Sequence, residues 1–385
     1  MRVIYFSYPF FADCDFPLIK ELQGKGVDVR CYIPIDYGFQ KSSILEFNTP
    51  FKKWGIYRAS KIKEMQLYKD CIDLNRLFFI AGKNSFKNPT YWLLWICVVF
   101  HMLFQRAEVI HITWQLSGME RILMYIPFFK KKIMTVHDPI QHSNIPEREK
   151  KEKLRRRCFK WADSFILLNQ QQVKEFSKTY GIPEKSIYVS KLGAYDSITH
   201  MNLPNYNLKS KNRYIIFFGQ ITPHKGVEYL LSAMIRFHSE FPDVNLIIAG
   251  GGRLYFDAEP YSNLDYIQIE NRYVGIRELV PLVRNALFSV CPYIDATQSG
   301  VVQTSLALNV PVVATNVGAL AEMVKDGKYG KIVPPCDSGA LFDAMVEMLK
   351  TPDVIEQMKD NIKNQWSLLA SWSPIADIYK ACYSA

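Results

Sequence analysis

Short apolar runs alternate with amphipathic stretches along most of the chain. In the first half, runs rich in β-branched residues predict strands at residues 3–6, 27–33, 109–113, 133–136, 164–168 and 187–190. Residues 16–26 fit the helix that follows the first strand, whereas residues 37–105 show no regular pattern and stay unassigned. Strands that alternate with helices are typical of βαβ units, so we expect a parallel sheet.

The same alternation restarts after a polar segment at residues 202–212 (NLPNYNLKSKN), whose composition is typical of a linker. Strands are then predicted at residues 214–219, 245–250, 287–291, 311–315 and 331–333. A helix begins at Gly226, and one of its faces carries Val227, Leu230, Leu231, Met234 and Ile235. The chain therefore predicts two doubly wound α/β domains, at residues 1–203 and 204–365.

Length and composition agree with two globular domains, since the chain has 385 residues, 49% of them hydrophobic and 22% charged. Residues 1–200 carry 31 Lys and Arg against 19 Asp and Glu, whereas residues 201–385 carry 16 against 18. This asymmetry indicates that the two halves meet different partners. The N-terminus enters a strand pattern without the features of a secretory signal, so we expect a cytoplasmic protein.

One apolar run, at residues 91–104 (YWLLWICVVFHMLF), is shorter than the roughly 20 residues that a membrane span needs. It predicts a buried or membrane-surface helix. Basic clusters at residues 130–132 and 148–160 suit an anionic membrane surface, and we expect peripheral attachment to the inner face of the membrane. The alternative is a solvated basic helix. Nucleic acid is not an expected partner, because no recognised reading module is present.

Candidate chemistry lies where predicted strands end, because ligands of doubly wound sheets sit beyond the carboxyl ends of the strands. Residues 218–226 (FGQITPHKG) place Lys225 just before a helix, where backbone N–H groups and a cation could hold a diphosphate. The glycines at 250–252 allow a close backbone approach. Each segment alone is also compatible with an ordinary turn. The absence of GxGxxG between a strand and a helix disfavours a nicotinamide or flavin dehydrogenase.

The most informative segment is residues 291–302 (CPYIDATQSGVV). Here Ser299 can cap a helix whose N-terminus would attract a phosphate. Asp295, Thr297 and Gln298 could form hydrogen bonds with sugar hydroxyls from the same loop. The alternative interpretation is a capped helix that follows a polar surface loop.

A further segment, residues 311–322 (PVVATNVGALAE), follows at a specific spacing. Together these segments resemble the retaining family 4 glycosyltransferases of the GT-B fold (glycosyl transferases group 1), which read FxGxxxxxKGxxxLL, LxIxGxG, a polar loop with a helix, and PVVATNVGxxxE. The resemblance implies an α/β fold of two Rossmann-like doubly wound domains facing across a cleft. It also implies that a C-terminal helix at about residues 366–385 packs back on the first domain.

In this family the second domain binds a nucleoside diphosphate sugar, so the resemblance implies that Lys225 and residues 299–301 contact the diphosphate. The predicted donor-binding residues are Gly219, Gln220, Lys225, Gly251, Asp295, Thr297, Gln298, Ser299, Gly300, Val301 and Thr304. Many members have arginine where Gln220 stands, and two glutamates at the positions of Ala296 and Thr304. Asp295 and Gln303 adjoin those two positions. The ATQSG loop marks a variant branch that we associate with bacterial polysaccharide enzymes.

In the first half, His137 and Asp138 follow a predicted strand. The family has a histidine in a similar turn, so the resemblance assigns His137 to the donor sugar, with Asp138 able to orient it. The alternative is a His-Asp pair that satisfies local backbone groups. Asp13, Asp15 and Trp114 are candidate acceptor ligands. His111, His137 and His142 lack the spacing of metal ligands, so neither a metal nor another cofactor is expected.

The resulting hypothesis is a retaining glycosyltransferase that moves a sugar from a nucleoside diphosphate sugar to a hydroxyl of a polysaccharide or a lipid-linked oligosaccharide. Lys225 and a helix dipole would stabilise the leaving diphosphate, and the catalytic set is His137, Asp138 and Lys225. One alternative is a non-catalytic homologue that acts as a binding subunit, motivated by Gln220, Ala296 and Thr304. Another is a sugar-nucleotide epimerase, which would need carboxylates to move a proton.

Overall fold

The computed structural model of the chain describes residues 1–49, 51–83, 85, 87–139, 148–199, 201, 203, 213–351 and 353–385. These residues form two compact units. Unit 1 consists of Met1–Gly193 and Trp372–Ala385, and unit 2 of Ala194–Ser371. The chain thus enters unit 2 about ten residues before the boundary predicted at 203/204. Apart from Leu203, the predicted linker at residues 202–212 lies outside the described residues.

The strands of the described residues follow the predicted alternation. In chain order they are β1 (Arg2–Phe6), β2 (Asp28–Ile35), β3 (Lys41–Ser42), β4 (Leu45–Glu46), β5 (Gly55–Arg58), β6 (Leu77–Ala81), β7 (Val109–Ile112), β8 (Lys131–Val136), β9 (Ser164–Leu167), β10 (Ile187–Val189), β11 (Arg213–Phe218), β12 (Val244–Ala249), β13 (Ile267–Glu270), β14 (Ser289–Cys291), β15 (Val312–Thr315) and β16 (Gly330–Val333).

The α-helices lie between these strands and at the C-terminal end. They are α1 (Ala12–Gly24), α2 (Pro89–Phe104), α3 (Arg148–Trp161), α4 (Val173–Tyr180), α5 (Val227–Glu240), α6 (Glu259–Ser262), α7 (Ile276–Arg284), α8 (Gly300–Ala307), α9 (Leu320–Val324), α10 (Ser338–Lys350), α11 (Val354–Asn361), α12 (Ser367–Leu369) and α13 (Trp372–Ser384). Short 3₁₀ helices include Met119–Tyr125, Asp196–Thr199 and Pro223–Lys225, and a π-helix spans Ile362–Trp366.

The sheet of unit 1 has the order β10-β9-β8-β7-β1-β2-β6-β5, and only β5 runs antiparallel to its neighbour. All six strands predicted in this half are confirmed. β5 and β6 fall in the unassigned stretch, because β6 (LFFIA) is buried throughout and so has no polar alternation to reveal it. α2, the 3₁₀ helix Met119–Tyr125, α3 and α4 share one hydrophobic cluster and therefore cover the same face of the sheet.

The last helix, α13, belongs to unit 1. The buried His111 of β7 joins its Nδ1 to the Tyr383 hydroxyl at 2.7 Å and its Nε2 to Thr135 Oγ1 at 2.8 Å. Because burial lowers the pKa of His111 to about 3, the ring is neutral in this network. The return to unit 1 starts at Trp372, later than the predicted residue 366, since Trp366 packs in the core of unit 2.

The sheet of unit 2 is entirely parallel, in the order β13-β12-β11-β14-β15-β16. This is the strand order of a nucleotide-binding Rossmann fold, in which the crevice for a ligand opens between the two central strands. Here those strands are β11 and β14. The predicted apolar face of α5 is confirmed except at Ile235, which is 46% exposed.

Candidate functional site

Four loops follow the carboxyl ends of neighbouring strands in unit 2, and they are joined by backbone contacts. The amide of Ile294 donates to the carbonyl of His224 at 2.8 Å, which ties the loop after β14 to the loop after β11. Ile221 donates in the same way to Gly251 at 3.1 Å, and Ala319 to Thr297 at 3.2 Å. The predicted donor segments therefore form one continuous edge of this unit.

Glycine is required at two of these junctions. Gly226 has φ +61°, and a Cβ there would lie 2.1 Å from the carbonyl oxygen of Pro292. Gly318 has φ +52°, and its Cβ would lie 1.9 Å from the carbonyl oxygen of Ala296. Any side chain would collide with the neighbouring backbone, so these glycines set the spacing of the loops.

Lys225 lies at the centre of this edge, beside a buried aromatic ring. Its Nζ is 3.6 Å from the ring centroid of Tyr293, which is fully buried. Burial lowers the pKa of Lys225 to about 8, so the ammonium is still mostly protonated at pH 7. Among the described residues, no carboxylate forms an ion pair with it. A half-buried cation without a paired carboxylate is suited to binding an anion.

The same tyrosine contacts the start of α8. Ser299, 2% exposed, accepts a hydrogen bond from the amide of Val302 at 3.2 Å and so caps the helix as predicted. Its hydroxyl lies 3.5 Å from the hydroxyl of Tyr293. The amides of Gly300 and Val301 have no acceptor within the helix, because first-turn N–H groups never do. Tyr293 thus contacts both the Lys225 ammonium and the N-terminus of α8.

The remaining donor candidates lie in the same loops or on α8 and differ in exposure. Asp295 and Gln220 are exposed, whereas Thr297, Gln298 and Thr304 are half-buried. Gly219 has φ +110° and donates from its amide to Ala249 at 3.0 Å. Gln303, which adjoins the second glutamate position, is only 4% exposed.

Sequence reasoning missed two aromatic residues here. One is Tyr293, whose position shortly after a buried strand was the available signal. The other is Tyr195: a Cβ on Gly300 would lie 2.9 Å from its ring, so Tyr195 covers the first residue of α8. Its position in the chain gave no signal, because residues up to 203 were assigned to the first domain.

In unit 1, the loops after β1, β7 and β8 form an aromatic edge. The ring of His137 stacks on Phe11 with centroids 3.9 Å apart, and Trp114 lies 5.8 Å from Phe11 and 5.9 Å from Phe10. Phe10 is 45% exposed. The structure therefore brings two of the predicted residues, His137 and Trp114, into one cluster with two phenylalanines that were not predicted.

His137 is neutral in this cluster. Burial lowers its pKa to about 3, and its Nε2 atom is buried without a hydrogen-bond partner among the described residues. The loop that carries it is held by Arg155 of α3, a buried residue whose guanidinium donates to the backbone carbonyls of Asp138 and Pro139. Arg155 is thus a positioning residue for the predicted catalytic loop and not part of a solvated basic face.

The two predicted acceptor carboxylates lie in the first turn of α1. Asp15 is 3% exposed, and it accepts hydrogen bonds from Tyr5 at 2.7 Å and from Ser7. Because the Asp15 side chain is buried in contact with Tyr5 and Ser7, this corrects the expectation that it contacts an acceptor. Asp13 is half-buried and accepts from the amide of Cys14 at 2.9 Å. Burial raises the pKa of Asp13 to about 6 and that of Asp15 to about 7.

No group of three or more His, Cys, Asp or Glu side chains that could hold a metal ion occurs within the described residues.

Comparison with known proteins agrees with this geometry. Residues 212–351 match the family model described as Glycosyl transferases group 1. The matched residues lie within unit 2 and include Lys225, Tyr293 and the start of α8.

Two curated relatives illustrate the similarity. The chain is 22% identical over 239 residues to the alpha-D-kanosaminyltransferase of Streptomyces kanamyceticus. The aligned region covers 58% of this chain and 62% of the relative. It is 32% identical over 149 residues to the phosphatidyl-myo-inositol mannosyltransferase of Mycobacterium leprae, covering 37% and 38%. The chain thus spans less than two thirds of either relative. The matched family and both relatives are named as glycosyltransferases.

Among solved structures, the catalytic domain of starch synthase IV from Arabidopsis thaliana, bound to ADP and acarbose, matches with a TM-score of 0.70 at 11% identity. The match covers 100% of both chains. The fold is the GT-B fold, as the resemblance implied.

Proposed function

We propose that the protein is a retaining glycosyltransferase that moves a sugar from a nucleoside diphosphate sugar to a hydroxyl group of an acceptor. The observation that carries the proposal is the contact of Tyr293 with both Lys225 and Ser299. It places a cation and a helix N-terminus together, and both attract a diphosphate. The match to a structure bound to ADP and acarbose supports a site of this kind.

In the proposed reaction, the bond between the anomeric carbon and the diphosphate oxygen breaks, and the electron pair leaves with the nucleoside diphosphate. Lys225 and the first amides of α8 stabilise the charge that develops on that oxygen. The acceptor oxygen forms its bond to the same face of the sugar, and its proton goes to a phosphate oxygen. No protein carboxylate is needed for this proton transfer.

His137 is assigned to a hydroxyl of the donor sugar. Since its ring is neutral, it contributes a hydrogen bond and not a positive charge. The acceptor is assigned to unit 1, where Trp114 and the exposed Phe10 offer aromatic faces for a saccharide. The name of the mycobacterial relative supports a lipid-linked acceptor. We propose no resident metal or other cofactor.

A non-catalytic binding subunit is the second candidate. It is favoured by the lack of carboxylates on α8, where Thr304 is half-buried and Gln303 is buried. Under this alternative the site would hold a nucleotide without turnover, or none at all.

The test is a thermal-shift screen against UDP, GDP, ADP and their common sugar conjugates, followed by hydrolysis and transfer assays. A ligand at a hundred times its dissociation constant stabilises by about 2.7 kcal/mol. We expect a shift with one nucleotide that Lys225→Ala removes. Lys328→Ala is the matched control, because Lys328 is also half-buried over a tyrosine ring, at 5.6 Å from the Tyr329 centroid. A shift without any turnover would favour the binding subunit, and no shift at all would contradict the donor site.

A further inference from the structure

Helix α2 has two apolar faces, only one of which is covered. Its inner face contributes Tyr91, Leu94, Trp95, Val98 and Met102 to the core of unit 1. The side chains exposed on the opposite side are Trp92 (49%), Leu93 (47%), Ile96 (45%), Phe100 (56%) and Phe104 (82%). The positions 92, 96, 100 and 104 repeat every four residues, so they form one stripe along the helix. Residues 89–104 include no Asp, Glu, Lys or Arg.

The segment that packs against α2 carries two further exposed aromatic side chains. The 3₁₀ helix Met119–Tyr125 packs against α2, and Tyr125 and Phe128 are 78% and 65% exposed. We call these seven exposed side chains of residues 92–128 the apolar face. Single exposed apolar residues are common, but a stripe of large apolar side chains along a whole helix is typical of a surface that binds a partner or a membrane.

A strongly basic helix lies on the same side of the sheet. α3 shares a hydrophobic cluster with α2 and with Met119–Tyr125, so all three cover one face. Its 14 residues include eight Lys or Arg and two Glu. Lys153, Arg157 and Lys160 are exposed, whereas Arg155 is buried in the loop contact described above. The helix that carries these exposed cations thus covers the same face of the sheet as α2.

We propose that the apolar face docks on the surface of an anionic lipid bilayer, with the exposed cations of α3 at the headgroups. A bilayer matches both parts of the surface, since it offers hydrocarbon beneath a negative layer. A second copy of this chain matches only the apolar part of the surface, because a symmetric dimer on this face would bring two basic helices toward each other. Among the described residues, no helix combines the length and apolar character needed to cross a bilayer. The inference does not rest on the proposed function.

The test is flotation of the full chain with vesicles of phosphatidylcholine alone or with about one third phosphatidylglycerol. The apolar variant combines Trp92→Ser, Phe100→Ser and Phe104→Ser, and the basic variant combines Lys153→Gln, Arg157→Gln and Lys160→Gln. The control combines Ile235→Ser and Leu368→Ser, which are 46% and 74% exposed in unit 2. All of these side chains are on the surface, so each variant is expected to fold.

We expect the wild type and the control to bind anionic vesicles, and to bind neutral vesicles at least about tenfold more weakly. The apolar variant should lose about tenfold or more in affinity, and the basic variant should also lose most of its salt dependence. Absence of binding to anionic vesicles, or full binding by the apolar variant, would overturn the proposal. So would a wild-type dimer, seen by sedimentation velocity, that the apolar variant converts to a monomer.

The nucleotide thermal shift is measured on the same four proteins. A wild type that shows the nucleotide shift but does not bind anionic vesicles contradicts membrane docking alone, whereas the apolar variant should keep the shift and lose vesicle binding. Vesicle binding without any nucleotide shift contradicts the proposed donor site alone.

Discussion

In both sheets the candidate residues follow the carboxyl ends of parallel strands, but the two edges have opposite chemistry. In unit 2 the edge is built from close backbone contacts at glycines, a half-buried lysine and a helix N-terminus. In unit 1 the corresponding edge is a cluster of aromatic rings around a neutral histidine. The first arrangement suits an anion, and the second suits an uncharged ligand with apolar faces.

Net charge alone would place an anion-binding site in the first half of the chain. The excess of Lys and Arg lies in residues 1–200, yet the predicted anion site lies in the half with 16 basic and 18 acidic residues. The difference is one of placement, because a diphosphate responds to a few donors within a few ångströms. The excess charge of the first half is concentrated instead on α3. Global charge therefore indicates a surface partner and local geometry indicates a ligand.

The contrast between the two edges is tested most directly by removing the Lys225 ammonium. If its ammonium stabilises the leaving diphosphate, Lys225→Ala should lower kcat by about a hundredfold or more. The measurement is the initial rate of sugar release from the nucleotide sugar identified by the thermal-shift screen. Lys328→Ala should stay within about twofold of wild type, because it removes a similar cation outside the site. Equal rates for both variants would mean that the anion site does not act in turnover.

The glycine contacts of unit 2 give the next largest effect. Gly318→Ala should cost about 3 kcal/mol of unfolding free energy, from its positive φ and from the collision with Ala296. Gly327→Ala is the control, since Gly327 also has positive φ (+75°) but a Cβ there would meet no atom within 4 Å. It should cost only about 1 kcal/mol. Urea unfolding measures both, and equal losses would show that close approach is unimportant at residue 318.

The sequence was sufficient for most of the fold because parallel strands and their helices have strong periodic patterns. It missed β5 and β6, where a fully buried strand shows no alternation and its antiparallel neighbour has only four residues, and it also missed the short strands β3, β4 and β13. Lys225 and Ser299 could be singled out because each follows a strand that the sequence predicts.

What the sequence could not supply is contact between distant segments. Nothing local shows that Tyr293 joins Lys225 to Ser299, or that Tyr195 covers Gly300. The Asp15 carboxylate and the Arg155 guanidinium belong to residue types that are usually exposed, whereas both are buried and hold neighbouring segments in place. For such residues, burial decides the role.

A pH titration of donor affinity would sharpen the account of Lys225. Its pKa of about 8 in the free protein means that it loses its charge between pH 7 and pH 9. A bound diphosphate raises that pKa, so affinity should be nearly constant below pH 7 and fall by about tenfold between pH 7 and pH 9. Calorimetry with a nucleotide sugar measures this, because its diphosphate does not titrate in that range. Lys225→Arg should remove the pH dependence, since arginine stays charged, and an unchanged profile would assign the titration to another group.

The smallest expected effect tests the edge of unit 1 through Arg155. Arg155→Lys replaces a guanidinium that donates to the carbonyls of both Asp138 and Pro139 by a single ammonium. The loop that carries His137 therefore becomes less well positioned. We expect kcat to fall about fivefold while donor affinity stays unchanged, because the proposed diphosphate site is in unit 2. Arg156→Lys is the matched control, since Arg156 is exposed and pairs with Glu152 at 2.9 Å. A loss of thermal stability in Arg155→Lys without any change in kcat would make Arg155 a purely structural residue, and His137 would then have no demonstrated part in the reaction.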